Sequence, residues 1–188
     1  MLGQRRGEIG AELIPNEWTP EDQNLIAWSY DPAVAGTSAA QVAGLLYLQR
    51  MNLRRAARVT NILMSIGSAG VTLTAGQCFA GLWRADGRLV ALTADQSGNW
   101  ASGGVKIMPL IGGPFGVGAA DYYVGCWSNG VTPPAFFRGT NNGANMNNLG
   151  LNAPDLRMCT ADAGLTVAAP DPFGVQTGAG TCPWMALS

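Results

Sequence analysis

The clearest alternation of apolar and polar positions lies within residues 57–101. Ile62, Met64 and Ile66 alternate with Asn61, Leu63 and Ser65, which predicts a strand buried on one face and partly covered on the other. The stretch 67–76 is rich in glycine and small polar residues and reads as a loop. Strands are predicted over 78–84 and 88–93. Between them Ala85-Asp86-Gly87 makes a tight reversal, because Gly87 can adopt the positive φ that a hairpin needs. Residues 95–99 form the next turn, with Trp100 as a large anchor beside it. This stretch is expected to be an antiparallel β meander around which the rest is organised.

The two-residue period continues in both directions. Residues 25–30 (LIAWSY) predict a first strand, stopped by Asp31-Pro32; 33–40 are small and flexible; 41–51 are long enough for a second strand. A helix over 41–58 is the local competitor, since Leu45, Leu48 and Leu53 could share a face. Arg50, Arg54, Arg55 and Arg58 gather beyond it, either as a solvated turn or as a docking patch for an acidic surface. Residues 105–110 predict another strand, ended by Ile111-Gly112-Gly113-Pro114. Tyr122, Val124 and Cys126 then alternate with Tyr123, Gly125 and Trp127, and Asn129-Gly130 closes that strand. Pro133-Pro134 favours a cis bond or a stiff bend. Strands over 156–160 and 182–187 complete a set of about eight to ten with turns at regular spacing. The expected class is all-β: an antiparallel, jelly-roll-like β-sandwich over 25–188.

Residues 1–24 break the pattern. Arg5 and Arg6 are followed by Glu8, Glu12, Glu17, Glu21 and Asp22, while Pro15 and Pro20 block a long helix. Such a composition buries too little to fold alone, so a short extended N-terminal arm is expected to anchor the domain to a partner chain. Its contact residues would be Arg5, Arg6, Leu13, Ile14 and Trp18. The alternative is that Leu13, Ile14 and Trp18 fold back on their own domain.

Composition narrows the function. With 47% apolar and only 12% charged residues, the surface must lean on Gly, Ser, Thr, Asn and Ala, which solubilise weakly. That predicts a subunit packed against other chains, in a symmetric homo-oligomer with a trimer favoured. A net charge of −1 supplies no field for nucleic acid. No apolar run approaches the roughly 20 residues of a membrane span, and the N-terminal residues lack a signal-peptide pattern, so a chain made in the cytoplasm and kept soluble is expected. Cys78, Cys126, Cys159 and Cys182 are too scattered for structural zinc; buried reduced thiols are favoured over two disulfides.

No catalytic constellation, metal site or cofactor motif stands out. The chain has no histidine, which removes Ser–His and Cys–His pairs, and Lys106 is its only lysine. Asp86, Asp95, Asp121 and Asp162 could in principle supply the two carboxylates of a glycosidase, but each lies at a predicted turn, where aspartate serves the backbone. Trp83, Trp100, Tyr122, Tyr123, Trp127, Phe136, Phe137 and Trp184 are expected in the core, with stacking on sugar rings as the competing use. Residues 139–153 are polar and nearly uncharged. Asn141, Asn142, Asn145, Asn147 and Asn148 there predict an outer loop, either an ordinary solvated one or one that binds sugar hydroxyls or a neighbouring subunit.

Three strings carry a resemblance. Leu73-Thr74-Ala75-Gly76-Gln77-Cys78-Phe79-Ala80-Gly81-Leu82, with Asp86-Gly87-Arg88-Leu89 and Thr93-Ala94-Asp95-Gln96-Ser97, is similar to a pattern in minor tail proteins of phages infecting actinobacteria. Leu46-Tyr47-Leu48, Tyr122-Tyr123-Val124 and Thr132-Pro133-Pro134-Ala135-Phe136 add to it, so the resemblance covers about 24–188. In such relatives the module often ends a longer fibre-like protein. Here a short arm precedes it and no Gly-X-Y stalk is present, which favours a compact virion subunit. The resemblance implies a non-enzymatic structural virion protein of a tailed bacteriophage, at the tail or tail tip, with other virion proteins as partners and a host-facing role. A capsid decoration or head-fibre protein, and a carbohydrate-binding adhesion module for a host cell-wall glycan, are the alternatives.

Overall fold

The residues that alternate inward from two six-stranded antiparallel sheets form one apolar layer between them. The computed structural model describes residues 18–139 and 143–188. Among these, the strands in chain order are β1 (Ala27–Trp28), β2 (Thr37–Ala40), β3 (Leu46–Leu53), β4 (Ala57–Val59), β5 (Asn61–Ser68), β6 (Val71–Leu73), β7 (Phe79–Arg84) and β8 (Leu89–Leu92). Then come β9 (Gly104–Pro109), β10 (Phe115–Val117), β11 (Ala120–Trp127), β12 (Gly130–Thr132), β13 (Ala135–Arg138), β14 (Met158–Ala161), β15 (Thr177–Gly178) and β16 (Met185–Leu187). The all-β antiparallel sandwich expected from the period is the observed architecture.

The front sheet is centred on β5. One side of β5 pairs with β9; the other pairs with β16 and β13, which lead out to β1 and β2. The back sheet runs β15-β14-β3-β11-β7-β8. Between them lie Ile62, Met64, Ile66, Met108, Phe136 and Met185 from the front, and Met51, Leu82, Tyr122, Val124 and Cys126 from the back. Burying a side chain of this size contributes about 1.5–3 kcal/mol. Trp100 anchors one end, edge-on to Phe136 at 5.2 Å between ring centres, with its indole N–H 3.3 Å from the Met108 sulfur.

The back sheet is buried on both faces. Leu46, Leu48, Trp83, Tyr123 and Trp127 form a second apolar layer on its outer side, closed by Leu156 and Phe173 and by partly buried Leu165 and Ala169. The covering segment, 162–176, has no regular structure and is held through its carbonyls. The Trp83 and Trp127 indoles donate to Pro170 O and Thr166 O, each at 2.9 Å, and the Asn129 amide donates to Leu165 O at 2.6 Å. These bonds satisfy backbone groups that an irregular strap cannot pair with itself. They also explain why both registers of 122–127 are apolar.

Several expectations are corrected. The stretch 57–101 is not one meander: β5 lies in the front sheet, β7 and β8 in the back sheet, and β6 pairs with β12 as a separate ribbon. The expected loop over 67–76 instead holds the end of β5 and all of β6; this segment carries the chain between layers, and the period of a strand does not encode which sheet it joins. The helix considered for 41–58 does not form; β3 and β4 occupy it, with β3 paired on both sides. The strand predicted at 25–30 shrinks to Ala27–Trp28, and 33–40 contains β2. Cis bonds fall at Gly113-Pro114, Ala153-Pro154 and Asp171-Pro172, not at Pro133-Pro134. The hairpin turn is as expected, with Gly87 at φ 86°.

Of the arm, Arg5, Arg6, Leu13 and Ile14 lie outside the described residues. Trp18 is exposed. Pro20–Gln23 form a 3-10 helix opened by the Thr19 N–H and hydroxyl, both donating to the Asp22 carboxylate at 2.8 Å. Those two bonds, the backbone one first, hold the Asp22 carboxyl below its usual range. Glu21 then reaches Arg55 of the same chain at 3.1 Å. One acid of the arm thus meets the arginine group in cis. All four cysteines are free and buried.

Candidate functional site: an uncharged sheet face

The outer face of the front sheet is more open than the strapped face of the back sheet: Ala186 on it is buried and Leu63, Trp28 and Phe137 are half-buried, while its β9 residues are exposed. Because Ile62, Met64 and Ile66 point into the core, their alternates Leu63, Ser65 and Gly67 point out. Across the register, β9 adds Val105, Ile107 and Pro109, β16 adds Ala186, β1 adds Trp28, β13 adds Ala135 and Phe137, and β2 adds Ser38 and Ala40. None of these residues is charged. One cross-strand row, Ile107–Leu63–Ala186–Trp28, is apolar over four strands, about 14 Å at the usual strand spacing. Gly67 is small because Ser38 fills the space beside it: an added Cβ would lie 2.6 Å from the Ser38 Cβ and 3.5 Å from the Phe137 ring.

β9 is an edge of this face, open at Val105 and Ile107 and closed just beyond Pro109, where Thr93 bridges Leu110. Val105 is 67% exposed and Ile107 60%. The Leu110 N–H donates inward to Thr60 O at 2.9 Å, while the Ile111 N–H donates away from β5, to Leu92 O at 2.8 Å. Antiparallel ladders alternate, so the even-numbered residues of β9 bond β5 and the odd ones turn their backbone groups outward. Among the described residues nothing pairs with the outward N–H and C=O groups of Val105 and Ile107. Between them Lys106 turns inward, 7% exposed, with its ammonium 2.9 Å from the Ser102 hydroxyl. Charges turned inward on an edge strand are one of the devices that restrict edge pairing.

The other candidates are largely committed elsewhere. Of the eight aromatic rings considered for sugar stacking, all but half-buried Phe137 are buried. Asn141 and Asn142 lie outside the described residues. Asn148 is buried: its amide donates to Ala144 O and Met158 O at 3.0 and 2.9 Å, and its oxygen accepts the Met158 N–H at 3.0 Å. Asn147 donates to Ala179 O and Gly180 O at 3.2 and 3.0 Å. The expected open loop is therefore partly a short helix, Ala144–Asn147, riveted to β14 and to the segment before β16. Only Asn145 of the described three faces solvent, beside a shallow hollow of about 290 Å³ that Leu149 and Leu151 also line.

The four aspartates serve their surroundings. Asp86 accepts from the Arg88 N–H, and Asp162 from the Gly174 N–H. Burial alone would raise the Asp95 carboxyl, but the Ser97 hydroxyl and the N–H groups of Gly76, Cys78 and Ser97 outweigh it and lower the group. Asp121 is lowered by the Asn52 amide first and then by Arg50, whose guanidinium lies 2.5 Å away and also reaches Asp155 at 3.2 Å. Arg50 is thereby removed from the arginine group; Arg54 and Arg58 remain exposed beside Arg55. A charged open cleft of about 750 Å³ lies between Arg84, Asp86, Arg88 and Asp171, at the β7–β8 turn.

Sequence reasoning missed the front face. Its signal was present in the lack of charge at 61–67 and at the alternate positions 105, 107 and 109, but which residues share that face follows only from register. No helix among the described residues is long and apolar enough to cross a membrane. No protein-family model matches the chain, and no curated protein matches it.

Proposed function

We propose that the chain is a non-enzymatic structural subunit that works by packing against other proteins through the outer face of its front sheet. The observation that carries this reading is the contrast between the two sheets: one is covered on both sides, and the other leaves an uncharged, partly exposed face whose β9 edge is open at Val105 and Ile107. Contiguous apolar surface rimmed by polar groups is typical of interaction sites. The similarity of 73–82, 86–89 and 93–97 to minor tail proteins of actinobacterial phages supports a place in a tailed-phage virion, at the tail or tail tip, where the subunit meets other virion proteins and the host surface. The protein is a homo-oligomer in this account; a trimer rests on composition alone. Residues 1–24 are a second attachment, so their removal leaves a folded domain that enters particles less well.

Immunogold labelling of the particles tests the reading. Gold at the tail supports it, gold over the head assigns the chain to capsid decoration, and particles without label overturn it. Glycan-array binding that is lost with Asn145→Ala would favour an adhesion role.

A further inference from the structure

We infer that the open cleft at the β7–β8 turn is a binding site for the vicinal hydroxyls of a neutral sugar. The cleft lies on the back sheet, so this assignment stands or falls apart from the front-face reading. Its turn is tightly built. Gly87, at φ 86°, donates its N–H to Arg84 O at 3.0 Å, and the Arg84 N–H donates to Arg88 O at 2.8 Å. Gly87 and Arg88 thus both oppose Arg84, the arrangement of a G1 bulge. The strap docks on the same turn. The Phe173 N–H donates to Gly87 O at 3.0 Å, which brings Asp171 and Pro172 beside Leu89.

The side chains around the cleft are held in place but not used up. Asp171 accepts the Leu89 N–H on one carboxylate oxygen at 3.0 Å, and Asp86 accepts the Arg88 N–H on one of its own at 3.1 Å. Each keeps a second oxygen. That of Asp86 lies 3.9 Å from the Arg88 Nε, beyond hydrogen-bond reach, and that of Asp171 has no partner among the described residues. The Arg84 side chain is exposed and likewise has no partner among the described residues. Arg84 and Arg88 carry like charges across the turn and gain nothing from one another. Backbone bonds therefore orient two carboxylate acceptors in a cleft that two guanidinium donors also line.

The balance of these groups selects the ligand class. Arg84 and Arg88 are offset by Asp86 and Asp171, so an anion gains the guanidinium groups only by meeting both carboxylates, and a cation the reverse. A hydroxyl both donates and accepts, and adjacent hydroxyls of a sugar ring match a free carboxylate oxygen and a guanidinium fork together. A peptide segment alternates its N–H and C=O along the chain and needs apolar pockets for its side chains. Here only Leu89 and Pro172 are apolar. At about 750 Å³ the cleft falls within the range of small-ligand sites. Among the described residues no aromatic ring lines it, so the sugar is held by hydrogen bonds and the expected Kd is on the order of millimolar.

Proton–nitrogen correlation NMR of the full chain tests this, with separate titrations of the methyl glycosides of glucose, galactose and mannose and of inorganic phosphate. At least one sugar should shift the Arg84, Arg88 and Leu89 amides and the arginine Nε signals, saturating at roughly 10–50 mM, several times the expected Kd. Arg84→Gln and Asp171→Asn should each weaken that binding about tenfold, the usual loss for a hydrogen bond to a charged group. Both alter exposed side chains, and in D171N the amide oxygen still accepts the Leu89 N–H, so circular dichroism should match the parent. Arg54→Gln, exposed and outside the cleft, should bind as the parent does. Sugar shifts that persist unchanged in R84Q and D171N would overturn the site. So would the absence of localised shifts with every sugar, and saturable binding of phosphate in place of sugar would overturn the ligand class. None of these outcomes bears on the front face, which labelling of particles decides separately.

Discussion

Gly81 and Gly125 stand directly opposite one another in β7 and β11, and the Trp83 ring occupies the space above both. A Cβ on Gly81 would come within 2.6 Å of that ring, and one on Gly125 within 3.2 Å. The pair makes the trough in which the indole lies flat enough for its N–H to reach Pro170 of the strap. A Cβ on Gly125 would also stand 2.7 Å from the Tyr47 carbonyl oxygen, which belongs to the neighbouring strand and cannot swing away. Gly125→Ala should therefore cost about 2–3 kcal/mol, the upper part of the range for overpacking. Gly81→Ala meets only side chains and should cost less. Urea unfolding of the two variants checks the order.

The asparagine segment should divide by burial. Asn148→Ala removes three hydrogen bonds and strands the Met158 N–H, so a loss of about 2 kcal/mol is expected. Asn145→Ala, at an exposed site, should stay within about 0.5 kcal/mol of the parent. Thermal unfolding distinguishes them, and equal losses would contradict the hydrogen-bond assignment.

The thiols set the alkaline limit. Burial pushes Cys126 and Cys159 up to about 12 and raises Cys182 well above its ordinary value, with the Cys159 and Cys126 sulfurs adding to the effect. In the unfolded chain a thiol ionises near pH 8.5. Above that pH the unfolded state has lost protons that folding must restore, so stability present below it declines as pH rises toward 12. Replacing Cys126 with Ala or Ser should flatten that decline, even if it lowers stability at neutral pH. A parent as stable at pH 10.5 as at pH 7.5 would contradict the burial.

Much of the sandwich was legible because its devices are local. The alternation at 62–66, the Gly87 turn and Trp100 as a buried anchor all depend on neighbours within a few residues. The partition of strands between sheets was not, since β5 and β7 carry similar patterns and separate only through pairings distant in sequence. The strap was hidden for another reason: Trp83 and Trp127 bind backbone carbonyls of Pro170 and Thr166, and any residue supplies a carbonyl. Asn148 misled by composition, because the features that suit asparagine to an open loop also suit it to a buried rivet. The docking face required register, which sets Ile107, Leu63, Ala186 and Trp28 side by side although they span most of the chain.

Hydrogen exchange read by mass spectrometry, comparing isolated protein at low concentration with assembled particles, tests the central claim most directly. Among the described residues the outward N–H groups of Val105 and Ile107 have no partner, and in the isolated chain they should exchange quickly. In the assembled state peptides covering 104–109 should become strongly protected, with smaller gains over 61–68, while the strap at 162–176 stays unchanged. Equal exchange of 104–109 in the two states would mean that the front edge and face remain in solvent, and would contradict the account.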